Sequence, residues 1–251
     1  KLIKLLLMKK ITILLGVLAS SISFSFSQWT YDFTYNADAG NPGGVNTEGD
    51  APGLGTWTNL VLGPQSVNVW SPVTPLPFSF NFFGTPVTDF KASQNGLVTF
   101  DVASALLPNA NESLPSVNLP DNTICGFWDE FTSAPPTGSG DDIRTNVFGT
   151  APNRQFWITW YSFEMGNPVN SFSYFSVVLE EGTNNVYIVD KYSTTSTLTS
   201  TVGVQLNATT AVEAGSSLAL SSNGTLITDN DFYAFTPLLL VADDAGVSSM
   251  V

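Results

Sequence analysis

The sequence predicts an all-β fold, an antiparallel β-sandwich of roughly ten or more short strands with little helix. Two observations carry this prediction. After the first 27 residues, Val, Thr, Phe, Tyr and Trp alternate in short runs that Gly, Pro, Asn and Asp separate. Apolar residues at helical spacing are nearly absent from the same region. Alternation with a period of two is typical of strands with one buried face.

Each predicted strand is one of these runs. The runs cover 29–35, 67–70, 76–84, 90–100, 124–131, 143–148, 155–164, 172–180, 186–192, 202–206, 218–220 and 232–240. Asn95-Gly96 predicts a tight turn within 90–100, because both residues tolerate positive φ. The run 155–164 is aromatic on both faces, with Phe156 and Trp160 on one and Trp157 and Tyr161 on the other. It therefore predicts a central strand.

The start of the chain is typical of a signal sequence. Met8 precedes Lys9 and Lys10, an apolar run follows, and Ser25-Phe26-Ser27 ends it with small residues at the two positions that signal peptidase recognises. We expect residues 1–7 to be upstream sequence and cleavage to follow Ser27. Five serines between 20 and 27 make the alternative, a membrane anchor, less apolar than a spanning helix requires.

The expected organisation is therefore a leader over 1–27 and one module over 28–240. Residues 241–251 are expected to start a following, truncated immunoglobulin-like module. The chain is then one part of a longer exported protein, extracellular or on the cell surface, and not inserted in a membrane after cleavage.

The charge of residues 28–251 excludes some partners. This part of the chain holds four basic residues against 21 acidic ones, a net charge near −17. Nucleic acid binding requires clustered Lys and Arg and is therefore not expected. Adsorption to anionic lipid is opposed in the same way.

Catalysis is also constrained by composition. The chain has no histidine, which removes Ser-His-Asp and Cys-His catalysis and every histidine-ligated metal site. Its one cysteine, Cys125, lies in an apolar run and is expected to be an inert buried thiol. The sequence therefore predicts a protein that is not an enzyme, without a disulfide.

Three ordered segments resemble a known family. They are LPFSFNFFG (76–84), SQNGLVTF (93–100) and LPDNTICGFWDE (119–130). Together they resemble the nidogen-like extracellular module of secreted Bacteroidota-type bacterial surface proteins, and 151–160 and 202–205 are similar to its second half. The resemblance implies an adhesive or accessory module within a multidomain surface protein, with no enzymatic activity of its own.

Four acidic residues are candidate calcium ligands. Asp129 and Glu130 end a predicted strand, and Asp141 and Asp142 follow a Gly-Ser-Gly loop that could fold back beside them. Carboxylate oxygens are the ligands that calcium prefers. The alternative is a solvated rim of surface acids, since no spaced Asp-x-Asp-x-Asp-Gly pattern occurs.

Three aromatic residues are candidate ligand contacts. Trp57, Trp70 and Tyr161 have the least core-like surroundings and could stack on sugar rings. Trp128, Trp157 and Trp160 lie in alternating strands and are expected to be core packing instead.

The sequence thus favours a non-catalytic adhesion or binding module whose partner is an extracellular protein or polysaccharide. Two alternatives stay open. One is an accessory domain of a secreted hydrolase, most plausibly a peptidase, whose catalytic domain lies outside this chain. The other is a structural spacer without a ligand.

Overall fold

The computed structural model describes residues 28–49, 57–62, 68–132, 142–165, 172–194, 199–219 and 227–240. Residues 30–238 form one compact unit. The other unit, 1–29 and 239–251, is described only at residues 28, 29, 239 and 240. The predicted leader, 1–27, and the predicted start of a following module, 241–251, lie outside the described residues and stay predictions.

The described residues form fourteen strands. In chain order these are β1 Gln28–Asn36, β2 Thr58–Leu62, β3 Thr74–Phe82, β4 Thr85–Ala92, β5 Leu97–Thr99, β6 Thr123–Trp128, β7 Phe131–Thr132, β8 Asp142–Thr150, β9 Asn153–Met165, β10 Phe172–Glu180, β11 Val186–Ser193, β12 Thr199–Asn207, β13 Thr210–Ala219 and β14 Asp231–Leu240. In the described part of the chain, helix is limited to short 3-10 turns at Pro42–Gly44 and Ile227–Asp229. No helix among these residues is long and apolar enough to cross a membrane.

The strands form two antiparallel sheets. The larger sheet has the order β1-β14-β11-β10-β9-β8-β2, with the two-residue β7 paired to β9. The smaller sheet has the order β13-β12-β6-β5-β4-β3. The predicted all-β sandwich is therefore confirmed.

The main core lies between the two sheets and is rich in aromatic residues. Phe156, Ile158 and Trp160 of β9 belong to this core, whereas Trp157 belongs to a separate cluster on the outer face. Trp160 stacks on Phe175 of β10, with 4.8 Å between the ring centroids. The predicted two-faced strand is therefore confirmed, and β9 lies inside its sheet between β8 and β10.

Several strand predictions need correction. The predicted strand 67–70 is wrong over 68–70, because Asn68 has a positive φ of 61° and Trp70 forms only an isolated bridge to Ser93. The predicted strand 76–84 ends at Phe82, since Phe83 and Gly84 both have positive φ and turn the chain into β4. The tight turn before β5 is confirmed, with φ of 78° at Gly96.

The outer faces of both sheets carry a second layer. Small clusters of buried apolar residues lie there, outside the main core. Residues 101–122, called the 101–122 segment, contact the outer face of the smaller sheet. Residues 37–49, called the 37–49 segment, contact the outer face of the larger sheet. Satellite clusters of this kind commonly lie beneath long loops.

Candidate functional site

The 101–122 segment connects β5 to β6 without forming a strand. It contributes Leu119, together with half-buried Leu114, to a cluster with Leu97, Cys125 and Trp128. These last three belong to a cluster separate from the main core. Cys125 and Trp128 are three residues apart and share this cluster because the pairing of β6 with β12 has a register irregularity between them. The segment therefore has a small core of its own against the sheet.

Side chains of the sheet and its connections hold the backbone of this segment. They donate hydrogen bonds to its carbonyl oxygens along most of its length. The bonds are Lys91 Nζ to Ser104 O (2.6 Å), Trp70 Nε1 to Leu106 O (3.0 Å), Asn95 Nδ2 to Pro108 O (3.1 Å), Thr201 Oγ1 to Glu112 O (2.9 Å) and Thr99 Oγ1 to Asp121 O (3.1 Å). Irregular backbone that packs on a protein surface needs such partners. The segment is consequently fixed in one conformation.

Gln205 of β12 makes the most complete of these contacts. Its side chain is fully buried, accepts a hydrogen bond from Ser116 N at 2.7 Å and donates one to Ser116 O at 2.9 Å. Neighbouring Gly203 leaves room for Leu114, because a Cβ at Gly203 would lie 2.7 Å from Leu114 Cδ1. The segment thus packs directly on the outer face of β12.

A pocket of about 460 Å³ opens in the 101–122 segment. Its lining combines three amide side chains, one carboxylate and four small or apolar residues. These residues are Leu106, Leu107, Pro108, Asn109, Ala110, Asn111, Glu112 and Asn118. Its volume lies within the range of about 300–1,000 Å³ that small-ligand sites have, but its lining is more polar and its mouth wider than is usual for such sites.

Hydrogen bonds orient the polar residues of the pocket. Glu112 Oε1 accepts from Ser116 Oγ and from Asn118 Nδ2, the latter at 2.9 Å. Asn111 Nδ2 donates to Thr201 Oγ1 at 3.2 Å, and Asn109 Nδ2 donates to Glu130 Oε1 at 3.4 Å. Contacts within the protein therefore position the polar side chains of the pocket.

The predicted calcium ligands fall in different settings. Asp129 is buried at the end of β6, where Oδ1 accepts from Glu130 N at 2.7 Å and burial raises the pKa of the carboxyl to about 6. Asp142 begins β8, and its Oδ1 forms an ion pair with Arg144 Nε at 2.5 Å. Burial raises the pKa of Asp142, whereas Arg144 opposes this shift.

Calcium binding stays a prediction. Asp141 lies outside the described residues. Within the described ranges, no three or more His, Cys, Asp or Glu side chains converge as metal ligands. Arg144 beside Asp142 would also compete with a cation for that carboxylate.

The three predicted aromatic contacts are all half-buried and do not form one surface. Trp57 donates to Glu48 Oε2 at 2.7 Å and packs against Phe148 over the larger sheet. Tyr161, on the same sheet, stacks on Tyr174 at 5.0 Å. Trp70 lies beside the pocket and supports it through Leu106 O, without lining it. As ligand contacts, the three residues stay predictions.

The other expectations about single side chains are confirmed. Trp128, Trp157 and Trp160 are fully buried packing residues. Cys125 is also fully buried, and burial raises the pKa of its thiol well above the usual value.

Sequence reasoning did not identify the residues that line the pocket. The predicted strands leave a connection between the runs 90–100 and 124–131, and irregular connections longer than about 12–15 residues in compact domains are often functional. The length of this connection and its four amide side chains, at Asn109, Asn111, Asn118 and Asn122, were the available signal.

All four basic residues after residue 27 are used inside the fold. Each lies over an aromatic ring, at distances of 4.6–5.9 Å from the ring centroid. The pairs are Lys91 with Trp70, Arg144 with Tyr161, Arg154 with Phe78 and Lys191 with Trp157. None of them is among the residues described as lining the pocket, and Glu112 is the one charged residue of that lining.

Comparison with known proteins identifies the family. The family model described as NIDO related matches residues 53–237, which include all three segments that carry the resemblance. Neither a curated protein nor a solved structure matches the chain significantly. Because the matched residues make up most of the chain, it belongs to the NIDO-related family, a non-enzymatic type of module that indicates an extracellular binding or structural role.

Proposed function

We propose that the chain is an exported, non-catalytic binding module that holds an extracellular ligand in the pocket of the 101–122 segment. The observation that carries this proposal is the fixed polar lining of that pocket. Asn109, Asn111, Glu112 and Asn118 are each oriented by a hydrogen bond, on a backbone that several strands hold in place. Preorganised polar groups reduce the entropic cost of binding.

The distribution of charge supports a neutral or cationic ligand. Residues 28–251 carry a net charge near −17. Each of their four cations lies over an aromatic ring, and none is among the residues described as lining the pocket. A nucleic acid or another polyanion would find no counter-charge there.

The proposal includes no catalytic step. General acid–base catalysis most often uses histidine, which this chain lacks. Glu112 is the one acidic residue described as lining the pocket, whereas glycoside hydrolysis normally uses a pair of carboxylates. The module would therefore bind and not convert its ligand, as expected for adhesion at a bacterial surface.

A pocket-filling substitution tests this proposal whatever the ligand is. Ala110 is exposed and lines the pocket, so Ala110→Trp would occupy it while leaving the buried cluster intact. The purified chain would be applied to immobilised matrix proteins and polysaccharides. We expect the parent chain to be retained by at least one of them and Ala110→Trp to lose that retention.

Ala39→Trp is the matched control, because Ala39 is an exposed alanine in the 37–49 segment on the other sheet. It should bind like the parent chain. Absence of any retention across the panel would contradict the proposal and favour a spacer without a ligand. Retention unaffected by Ala110→Trp would place binding outside the pocket.

A further inference from the structure

The chemistry of the pocket narrows its ligand to one class. We propose that the pocket binds a neutral carbohydrate, through hydrogen bonds to sugar hydroxyls and packing against an apolar sugar face. This inference rests on the proposed function and adds the ligand class. Its basis is the combination of amides, one carboxylate and apolar side chains in a lining without a cation.

The amide side chains match the hydroxyl groups of a sugar. Each Asn carries both donors and an acceptor, and each sugar hydroxyl can also donate and accept. Asn109 and Asn118 each use one amide hydrogen bond within the protein, to Glu130 and Glu112. Their remaining polar positions can bond to hydroxyls that point in several directions. Lining by amides therefore favours a polyhydroxylated ligand over one with few polar groups.

Glu112 adds a strong acceptor. Among the described residues, both hydrogen bonds to its carboxylate fall on Oε1, from Ser116 Oγ and Asn118 Nδ2. Oε2 is then available to a ligand hydroxyl, and the side chain is exposed. Hydrogen bonds to ionised groups are stronger than neutral ones, so this carboxylate would be the main polar anchor.

One part of the lining supplies an apolar surface. Leu106 is 48% exposed, and Pro108 and Ala110 continue the lining beside it. The C–H face of a sugar ring can pack on such a surface and release water. Trp70 Nε1 holds Leu106 O at 3.0 Å, which fixes this side of the pocket.

Charge separates neutral from acidic carbohydrates. A uronic acid or a sulfated sugar would place its negative charge next to Glu112, without a Lys or Arg among the described lining residues. Like charges at close distance are unfavourable. The pocket is therefore expected to select neutral sugars.

The test measures retardation of the purified chain in native gels that contain soluble polysaccharides. Neutral glucan, mannan, xylan and galactan are the probes, with heparin and polygalacturonate as acidic counterparts. We expect retardation by at least one neutral polysaccharide and by neither acidic one. Glu112→Gln and Asn118→Ala should each weaken this binding at least about tenfold.

Matched substitutions on the larger sheet provide the controls. Asp32→Asn and Asn153→Ala change exposed residues of the same types and should leave binding unchanged. Glu112 and Asn118 are themselves exposed, so all four variants should keep the parent melting temperature.

The possible failures can be told apart. Retention on an immobilised protein alone, or on acidic polysaccharides alone, would overturn the carbohydrate proposal and leave the binding module intact. No retention by any protein or polysaccharide would overturn both proposals. Binding to a neutral polysaccharide with equal strength in Glu112→Gln, Asn118→Ala and the parent would also overturn this assignment.

Discussion

An irregular segment covers the outer face of each sheet. The two segments are held in the same way, but only one of them forms the proposed binding pocket. The 101–122 segment lies over the smaller sheet and the 37–49 segment over the larger one. A fully buried glutamine binds the backbone of each segment: Gln205 contacts Ser116, and Gln155 Nε2 donates to Pro42 O at 3.1 Å. Both sheets thus fix an irregular segment through a buried side-chain amide.

Both segments are also held by a lysine that lies over a tryptophan. Lys91 lies over Trp70 and donates to Ser104 O at 2.6 Å. Lys191 lies over Trp157 and donates to Gly49 O at 3.2 Å. Each cation combines a ring contact with a backbone carbonyl, so two of the four basic residues after residue 27 hold these two irregular segments in place.

The two segments differ in whether their asparagine side chains are buried or exposed to solvent. In the 37–49 segment, Asn41 and Asn46 are buried, and Asn41 bonds to Asn46 O and to Asn230. In the 101–122 segment, Asn109 and Asn118 line a pocket that is open to solvent. The same residue type makes buried contacts in the 37–49 segment and lines the proposed binding pocket in the 101–122 segment. A segment that is held firmly over a sheet is therefore not, by that alone, evidence of a binding site.

The largest expected effects come from removing the two glutamines. Gln205→Ala and Gln155→Ala should each lower the free energy of unfolding by about 2–4 kcal/mol, because buried backbone groups lose their partners and a cavity forms. Urea unfolding measures this loss. Gln205→Ala should also abolish ligand retention, and Gln155→Ala should preserve it at temperatures where both variants are folded. Equal retention by both variants would remove the functional difference between the faces.

The two lysines allow a similar comparison with a smaller effect. Lys91→Met and Lys191→Met should each cost about 1–3 kcal/mol, since a charge-assisted hydrogen bond and a cation–π contact are lost. Only Lys91→Met should increase hydrogen exchange within 101–108. Faster exchange of that stretch in Lys191→Met would show that the stability of the 101–122 segment depends on contacts of the 37–49 segment.

Asp129 and Asp142 are both buried but differ in their partners. Asp129 has no described cation partner, whereas Asp142 forms an ion pair with Arg144. Burial raises the pKa of Asp129 from 3.8 to about 6, so the folded state holds its proton longer than the unfolded state. Its contribution to stability therefore falls as pH rises from about 4 to 6. Asp129→Asn should gain about 1 kcal/mol at pH 7, or 2–4 °C in Tm, and nothing at pH 3.5.

Asp142→Asn is the control, because it leaves Arg144 without its partner and should not stabilise the protein. Thermal melts at both pH values, with a chelator present, measure the two variants. Destabilisation by Asp129→Asn at pH 7 would mean that the ionised carboxylate has a stabilising partner.

The predicted calcium site gives the smallest expected shift. If Asp129, Glu130, Asp141 and Asp142 bind calcium, millimolar calcium should raise Tm in the parent chain, because a ligand of the folded state stabilises it. The shift should be absent from Asp129→Asn. An unchanged Tm in the parent chain would end this proposal.

The sequence predicted the sandwich because its central strands carry strong local signals. β9 carries large aromatic residues on both faces, and this pattern is typical of a central strand. β2 was missed wholly and β13 in part. Both are edge strands, but so are the predicted β1 and β3, so an edge position does not explain the misses. β13 contains Gly215 and mostly small or polar residues, so pairing with β12 and not local pattern determines it.

The pocket could not be predicted in the same way. Its shape depends on contacts from Trp70, Lys91, Thr201 and Gln205, which are distant in sequence from the residues they hold. Trp70 shows the limit: nothing in its local sequence indicates that its indole Nε1 donates to Leu106 O, 36 residues further along the chain. Local composition indicates that a segment is irregular, but not where its backbone is held.

On the proposed function, the ligand binds at the 101–122 segment and not at the 37–49 segment. Hydrogen–deuterium exchange of the purified chain, with and without the polysaccharide that retains it, can locate the bound ligand. We predict added protection within 101–122 and unchanged exchange within 37–49. Protection confined to 37–49, or to any strand remote from the pocket, would contradict it.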